Sequence, residues 1–229
     1  EIIIADNAST DNSIHWLKTN YPLLKIITLY QNYGYAGGYN EALKCVDAEY
    51  IVLLNSDVEV TAGWLDPLIH CLDNNPSIAA CQPKIKSYSD KKYFEYAGAA
   101  GGYIDYIGIP FCKGRIIDTT EIDSNQYNES APIFWASGAC LFIRNAVFKK
   151  ANGFDADFFA HMEEIDLCWK IHRLGYNIQY IAESTVYHLG GATLHKSNPK
   201  KTYLNVRNSL WMLQKHLPTN KLIPILFSR

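Results

Sequence analysis

Three short apolar runs near the start of the chain each stop at a polar side chain. Ile2-Ile3-Ile4 leads to Asp6, "LLKIITLY" leads to Asn32, and "YIVLL" leads to Asn55-Ser56-Asp57. Runs of this length, rich in β-branched residues and bounded by turn formers, predict strands. The first is continuous enough to predict a parallel strand covered on both faces. Helical segments lie between them. Ser9 to Ser13 offers N-cap residues for a helix through Ile14, Trp16 and Leu17, which Pro22 ends. "GWLDPLIHCLDNN" predicts a further helix before a strand at "IAACQPKI". Strand and helix in alternation predict an α/β fold with a parallel sheet. Ligands of such sheets gather at the carboxyl ends of the strands, where Asp6, Asn32 and Asp57 fall.

The alternation fades near residue 87. "AGAAGGYIDYIGIPFCKGR" predicts a loop with short strands, and "IFWASGACLFIR" a strand. "FFAHMEEIDLCWKIHRLGY" predicts a helix, "IQYIAESTVYHLGG" strands, and "NVRNSLWMLQKHL" an amphipathic helix. With 229 residues, 48% of them hydrophobic, the chain can bury the core of one large domain. The 21 basic and 23 acidic residues leave a net charge of −2, so there is no polybasic footprint for nucleic acid. No apolar run approaches the roughly 18 residues of a membrane span, and no secretory leader is evident. Six cysteines, most of them in apolar company and none in C-x-x-C, predict buried free thiols of a cytoplasmic protein. The chain opens at Glu1 without Met, already inside a strand, and reads as a piece of a longer protein.

Four stretches can carry chemistry, and each has a plainer reading beside it. Asp57 at a strand end could hold a hard cation such as Mg²⁺ or Mn²⁺; Asn, Ser and Asp also simply make turns. "QNYGYAGGYN" predicts a glycine-rich turn before a helix, either a ligand loop or a tight turn. Its spacing excludes G-x-G-x-x-G, and no G-K-[ST] marks a P-loop. Glu163, Glu164 and Asp166 fall in the first turn of a helix. There the helix dipole favours carboxylates by roughly 0.3–1 kcal/mol each, which predicts ionised acids, as a general base must be. His188 in "VYHLGG" is either a metal ligand or base, or a lone structural histidine.

Together these segments resemble the family-two glycosyltransferases of the GT-A fold, in their bacterial rhamnosyltransferase-like branch. The matching pieces run in the family's order: "IIIADNASTDNS", "NYGYAGGYN", "LLNSDVEV", "WASGACLFIRNAVFKKANGFDADFFAHMEEIDLCWKIHRLGY" and "VYHLGG". Each is modest alone, but five in order over nearly the whole chain are specific. The resemblance implies a Rossmann-like, mostly parallel sheet flanked by helices, with a small antiparallel acceptor-side portion. It implies a nucleotide-sugar-binding half at 1–98 and an acceptor and catalytic half at 99–229, without the strand and helix that usually come first.

The resemblance also implies roles. Asp6 would contact the donor base. Asn7, Ser9, Asn32, Gly34, Gly37 and Asn40 would shape the nucleotide pocket. Asn55, Ser56 and Asp57 look like the family's DXD-type motif, with Asp57 as metal ligand and His188 completing the shell around Mg²⁺ or Mn²⁺. Trp135, Ser137 and Gly138 would border sugar or acceptor, and Arg207 would approach the diphosphate. Glu164 stands where the family's E-D-x-D motif carries its catalytic Asp. It would be the base, with Glu163 positioning the acceptor and Asp166 serving the helix. A Glu reaches one methylene further, about 1 Å, a distance that matters to rate.

The implied activity is inverting transfer from a UDP- or dTDP-sugar, with dTDP-rhamnose favoured by the branch. The acceptor would be a saccharide or a lipid-linked saccharide in cell-surface polysaccharide synthesis. The alternative is a non-catalytic nucleotide-sugar or glycan-binding module on the same fold. A sugar nucleotidyltransferase would need a basic glycine-rich loop near its start, and "IIIADNAST" offers none. The apolar and basic end "HLPTNKLIPILFSR" suits contact with the inner face of a membrane, or packing on more protein. Oligomeric state is not legible.

Overall fold

The computed structural model describes residues 1–190 and 198–228. Strand β1 (Ile3–Asp6), helix α1 (Ser13–Asn20), strand β2 (Lys25–Thr28) and helix α2 (Gly34–Leu43) come first. Strands β3 (Tyr50–Leu54) and β4 (Val58–Val60), helix α3 (Asp66–Asn74) and strand β5 (Ile78–Ser87) follow. Four short strands make two hairpins: β6 (Gly102–Ile104) with β7 (Pro110–Cys112), and β8 (Arg115–Ile116) with β9 (Thr119–Thr120). Then come β10 (Ala131–Ile133), β11 (Cys140–Arg144), α4 (Asn145–Lys150), α5 (Glu163–Arg173), β12 (Asn177–His188), α6 (Pro199–His216) and α7 (Thr219–Ser228). Gly191 of "VYHLGG" and Arg229 of the terminal segment lie outside the described residues.

The α/β class holds, with a central sheet between helices. Its order is β10-β12-β5-β11-β3, with β4 also paired to β12. Only β5 and β12 pair in parallel within this sheet. β11 lies antiparallel between β5 and β3, so β3, β5 and β12 still run the same way. Their carboxyl ends therefore share one edge, which brings Asp57, Ser87 and His188 together.

Alternation along β11 builds two cores. Leu141 and Ile143 face the cluster that includes Leu167, Cys168 and Ile171 of α5 and Tyr180 of β12. Phe142 faces the other way, onto Leu68 and Leu72 of α3. Each fully buried Leu or Ile contributes roughly 1.5–3 kcal/mol, so α5 is anchored by its apolar stripe. Gly175, at φ 87°, ends it.

Four expectations change. β1 is not covered on both faces: Ile2 is 70% exposed, Ile3 and Ile4 are half-buried, and β1 pairs only with β2 among the described residues. The glycine-rich stretch is not a turn before a helix, because Gly34, Gly37 and Gly38 are inside α2. A Cβ on Gly38 would come within 2.9 Å of Asn7, and one on Gly34 within 2.5 Å of the Phe159 carbonyl. The glycines thus admit close neighbours from the turn after β1 and from the turn before α5. "IFWASGACLFIR" is two strands, since residues 134–139 leave the sheet to line a cleft. Five cysteines are buried free thiols and Cys45 is exposed.

Candidate active site

A cleft of about 1330 Å³ opens at the edge where β3 and β12 end. Asn55, Asp57, Trp135, Gly138, Glu163, Glu164 and His188, all expected from the sequence, line it. Strand register sets one part of the lining. Val58 of β4 lies opposite His188 of β12, and the Leu189 N–H donates to the Asp57 carbonyl at 3.0 Å. His188 Nε2 then sits 3.2 Å from Asp57 Oδ1, while Nδ1 faces Glu95 Oε1 at 3.4 Å. Burial disfavours a charged imidazole, but Glu95 and Asp57 outweigh it and His188 is held above its usual range. Glu95, itself buried, was missed by the sequence reading. Its only signal is an acid inside the aromatic run "YFEY".

Among the described residues no three His, Cys, Asp or Glu side chains are grouped to hold a metal ion. One carboxylate oxygen and one imidazole nitrogen on a cleft wall do suit a cation that takes its other ligands from phosphate and water.

The start of α5 supplies another part of the lining. Glu163 is 5% exposed, and its Oε2 has no partner. Glu164 opens onto the cleft, yet its Oε2 is also buried and unpartnered. Burial pushes Glu164 up to about 7, against the pull of the N–H groups of Glu164 and Ile165. Burial and the Glu164 carboxylate push Glu163 well above the usual range. The expectation that the helix start keeps these acids ionised is therefore corrected: desolvation exceeds the dipole. Asp166 behaves differently. It is fully buried but held by His216 Nε2 at 2.9 Å, Lys215 Nζ at 2.8 Å and Lys170 Nζ at 3.4 Å. Burial raises it, these partners more than compensate, and the carboxyl stays below its ordinary value. The structural role read for Asp166 fits this pairing.

Tyr35 joins α2 to the cleft wall, donating its hydroxyl to the Gly138 carbonyl at 2.6 Å. Trp135 donates Nε1–H to the Tyr103 carbonyl at 2.8 Å, leaving an apolar border to the cleft. Ser137 donates its hydroxyl to the Ala97 carbonyl at 2.8 Å.

The remaining expected residues lie outside this cleft. Asp6 is buried and accepts the Ser9 N–H at 2.9 Å. Asn7 donates to Asn32 Oδ1 and to the Gly34 carbonyl, and accepts the Tyr33 N–H. Asn40 exchanges two hydrogen bonds with the Phe154 backbone, and Gly37 packs against Tyr33. Ser56 is exposed in the turn after β3. Arg207 does not turn toward the cleft: its Nη2 donates to the carbonyls of Asp157 and Phe158, and its guanidinium lies over Trp211.

The central sheet flanked by helices, like that of the glycosyltransferase structures it matches, puts the chain in the class of GT-A folds. The chain belongs to glycosyl transferase family 2, whose model matches residues 1–151. It is similar to the N-acetylglucosaminyl-diphospho-decaprenol L-rhamnosyltransferase of Mycobacterium tuberculosis, at 25% identity over 202 residues. That match covers 82% of this chain and 66% of the relative. Among solved structures, GalNAc-T7 with UDP, GalNAc and Mn²⁺ has a TM-score of 0.65 at 16% identity, covering 93% of this chain and 41% of that one. The mannosyltransferase PcManGT of Pyrobaculum calidifontis, with GDP-Man and Mn²⁺, has 0.60 at 14% identity, covering 100% and 59%. The chain thus spans two-thirds or less of each of these three proteins.

Proposed function

We propose that this chain carries the transferase domain of an inverting glycosyltransferase. It would move a sugar from a UDP- or dTDP-sugar to a hydroxyl of a saccharide or lipid-linked acceptor in cell-surface polysaccharide synthesis. dTDP-rhamnose is the first donor to try, because the relative above is a rhamnosyltransferase. The observation that carries the reading is one cleft lined both by an Asp57–His188 pair and by unpaired Glu163 and Glu164.

Glu164 takes the proton of the acceptor hydroxyl. That oxygen attacks the anomeric carbon opposite the nucleoside diphosphate, which departs with the bonding electrons. A carboxyl at about 7 suits a base near neutral pH. Glu163, deeper and protonated, donates a hydrogen bond that orients the acceptor. Asp57 and His188 would hold Mg²⁺ or Mn²⁺, which supplies countercharge to the leaving diphosphate. Residues 1–98 would form the donor half, with Asp6, Asn7, Ser9, Asn32, Gly34, Gly37 and Asn40 shaping the wall around the nucleotide base. Residues 99–229 would form the acceptor half.

No helix among the described residues is long and apolar enough to cross a membrane. α7 exposes Ile223, Leu226 and Phe227, which supports contact with the inner face of a membrane.

The test is a panel of UDP- and dTDP-sugars with Mn²⁺, read for nucleotide release and glycoside product. Glu164→Gln should lose product and keep nucleotide binding. Nucleotide binding with no product from the unaltered protein across the panel would favour the binding-module alternative.

A further inference from the structure

The turn that delivers the acid pair has a shape its residues resist. Phe159, His161 and Met162 have φ of 63°, 71° and 72°, left-handed values that side chains larger than glycine avoid. Such a backbone persists only where its surroundings over-determine it.

Here they do. All five carbonyls from Asp157 to His161 accept hydrogen bonds. Those of Phe158, Ala160 and His161 accept from Nδ2 of Asn208 at 2.9, 2.9 and 2.7 Å. That amide has two hydrogens for three acceptors, so one is shared. Arg207 supplies Asp157 and again Phe158, and its Nε donates to Asn208 Oδ1 at 2.9 Å. From the other side, the N–H groups of Tyr35 and Ala36 meet the Phe159 carbonyl at 2.8 and 3.4 Å.

Asn208 is fully buried, on the stripe of α6 that also carries Leu204, Met212 and Leu213. A polar amide there would be costly without partners. No apolar residue could supply the three carbonyls.

We propose that Asn208 is a positioning residue for transfer: its side-chain amide fixes the left-handed turn at 159–162 and so sets where Glu163 and Glu164 enter the cleft. This rests on the reading of Glu164 as the base. The side-chain hydrogen bonds of Asn208 go to Arg207 and the turn rather than to either acid, and it lies on a different helix from both.

The experiment compares Asn208→Ala, Asn208→Ser, Glu164→Gln and the unaltered chain. Circular dichroism melts confirm folding. Calorimetry measures UDP and dTDP binding with Mn²⁺, and kcat is taken with the donor sugar that the panel identifies. Asn208→Ala should lower kcat by roughly 10- to 100-fold, as expected for a reacting group displaced by about 1 Å. Nucleotide affinity should stay within about threefold, because the Asp57–His188 pair is not moved. Asn208→Ser, which keeps one donor, should fall between, and it carries the same readout where Asn208→Ala does not fold.

The acid limb of the kcat profile should also move to lower pH as the loosened turn lets water reach Glu164. Glu163, Tyr35 and Cys168, which sense the Glu164 charge, and His161 and Lys201, which line the same cleft, are unchanged in these variants. Normal kcat in folded Asn208→Ala beside an inactive Glu164→Gln overturns the positioning role alone. So does an equal loss of kcat and nucleotide affinity. Normal turnover in Glu164→Gln overturns the base reading, and the inference with it.

Discussion

In one part of the cleft Asp57 and Glu95 stand on either side of His188. In another, Glu163 and Glu164 make no ion pair among the described residues, and each has a buried oxygen without a partner. In the first, burial disfavours a charged His188, and the two carboxylates outweigh it. In the second, burial exceeds the pull of the backbone N–H groups and no cation answers it, so Glu163 and Glu164 are both raised. Asp166, in the same helix turn as the acid pair, separates the two causes. It is as buried as Glu163, yet with His216, Lys215 and Lys170 around it the carboxyl stays ionised. Partners, more than depth, decide the charge. An enzyme that must gather phosphate at one place and remove a proton at another needs this division.

The sharpest way to break the division is Glu164→Gln, which should reduce transfer by roughly 10²–10⁴-fold while calorimetry finds UDP binding intact. Asp57→Ala comes next. Turnover with Mn²⁺ should drop by roughly 10²–10³-fold, as for other lost electrostatic contacts to developing charge, and Mn²⁺-dependent nucleotide binding should go with it. Survival of both activities in Asp57→Ala would leave the Asp–His pair without its assigned task.

The third effect is on stability and concerns pH. Glu164 is raised from 4.5 to about 7 in the folded chain, so its protonated form favours folding. That contribution is full below 4.5 and is lost as pH rises through about 7. Relative to Glu164→Gln, the unaltered chain should lose on the order of 3 kcal/mol across that window, read by urea melts. Asp166 has the opposite sign: its contribution is present above its ordinary value of 3.8 and is lost as pH falls. Identical pH slopes for Glu164→Gln and the unaltered chain would contradict the burial argument.

The smallest effect is Glu95→Gln. It should weaken Mn²⁺ affinity by roughly tenfold by loosening His188, with kcat at saturating metal nearly unchanged.

Much of the fold was legible because its signals are local. Polar residues closing the β-branched runs placed Asp57, and the helical segment "FFAHMEEIDLCWKIHRLGY" placed the acids at a helix start. The mixed direction of the sheet was not legible, because β11 enters between β3 and β5 from a distant part of the chain. β1 misled because its run of isoleucines describes what the strand can bury, not what covers it. Glu95 escaped notice because it lies between the strand at "IAACQPKI" and the loop read from Ala97 onward. Asn208 left a trace, a polar residue in the apolar stripe of an amphipathic helix, but its partners lie about fifty residues earlier. Arg207 was expected near the diphosphate only from the family resemblance, and the structure turns its guanidinium onto backbone carbonyls instead.

By itself the sequence determined the order of elements, the residues at the strand ends and the clustering of three acids in one helix turn. These follow from periodicity and propensity, which act over a few residues. Only the tertiary structure decided what each acid does. Charge depends on burial and on partners brought from far away: His216 and Lys215 reach Asp166 from α6, and nothing comparable reaches Glu163 or Glu164 among the described residues. Three similar carboxylates thereby acquire different protonation states, because desolvation and pairing belong to the assembled fold.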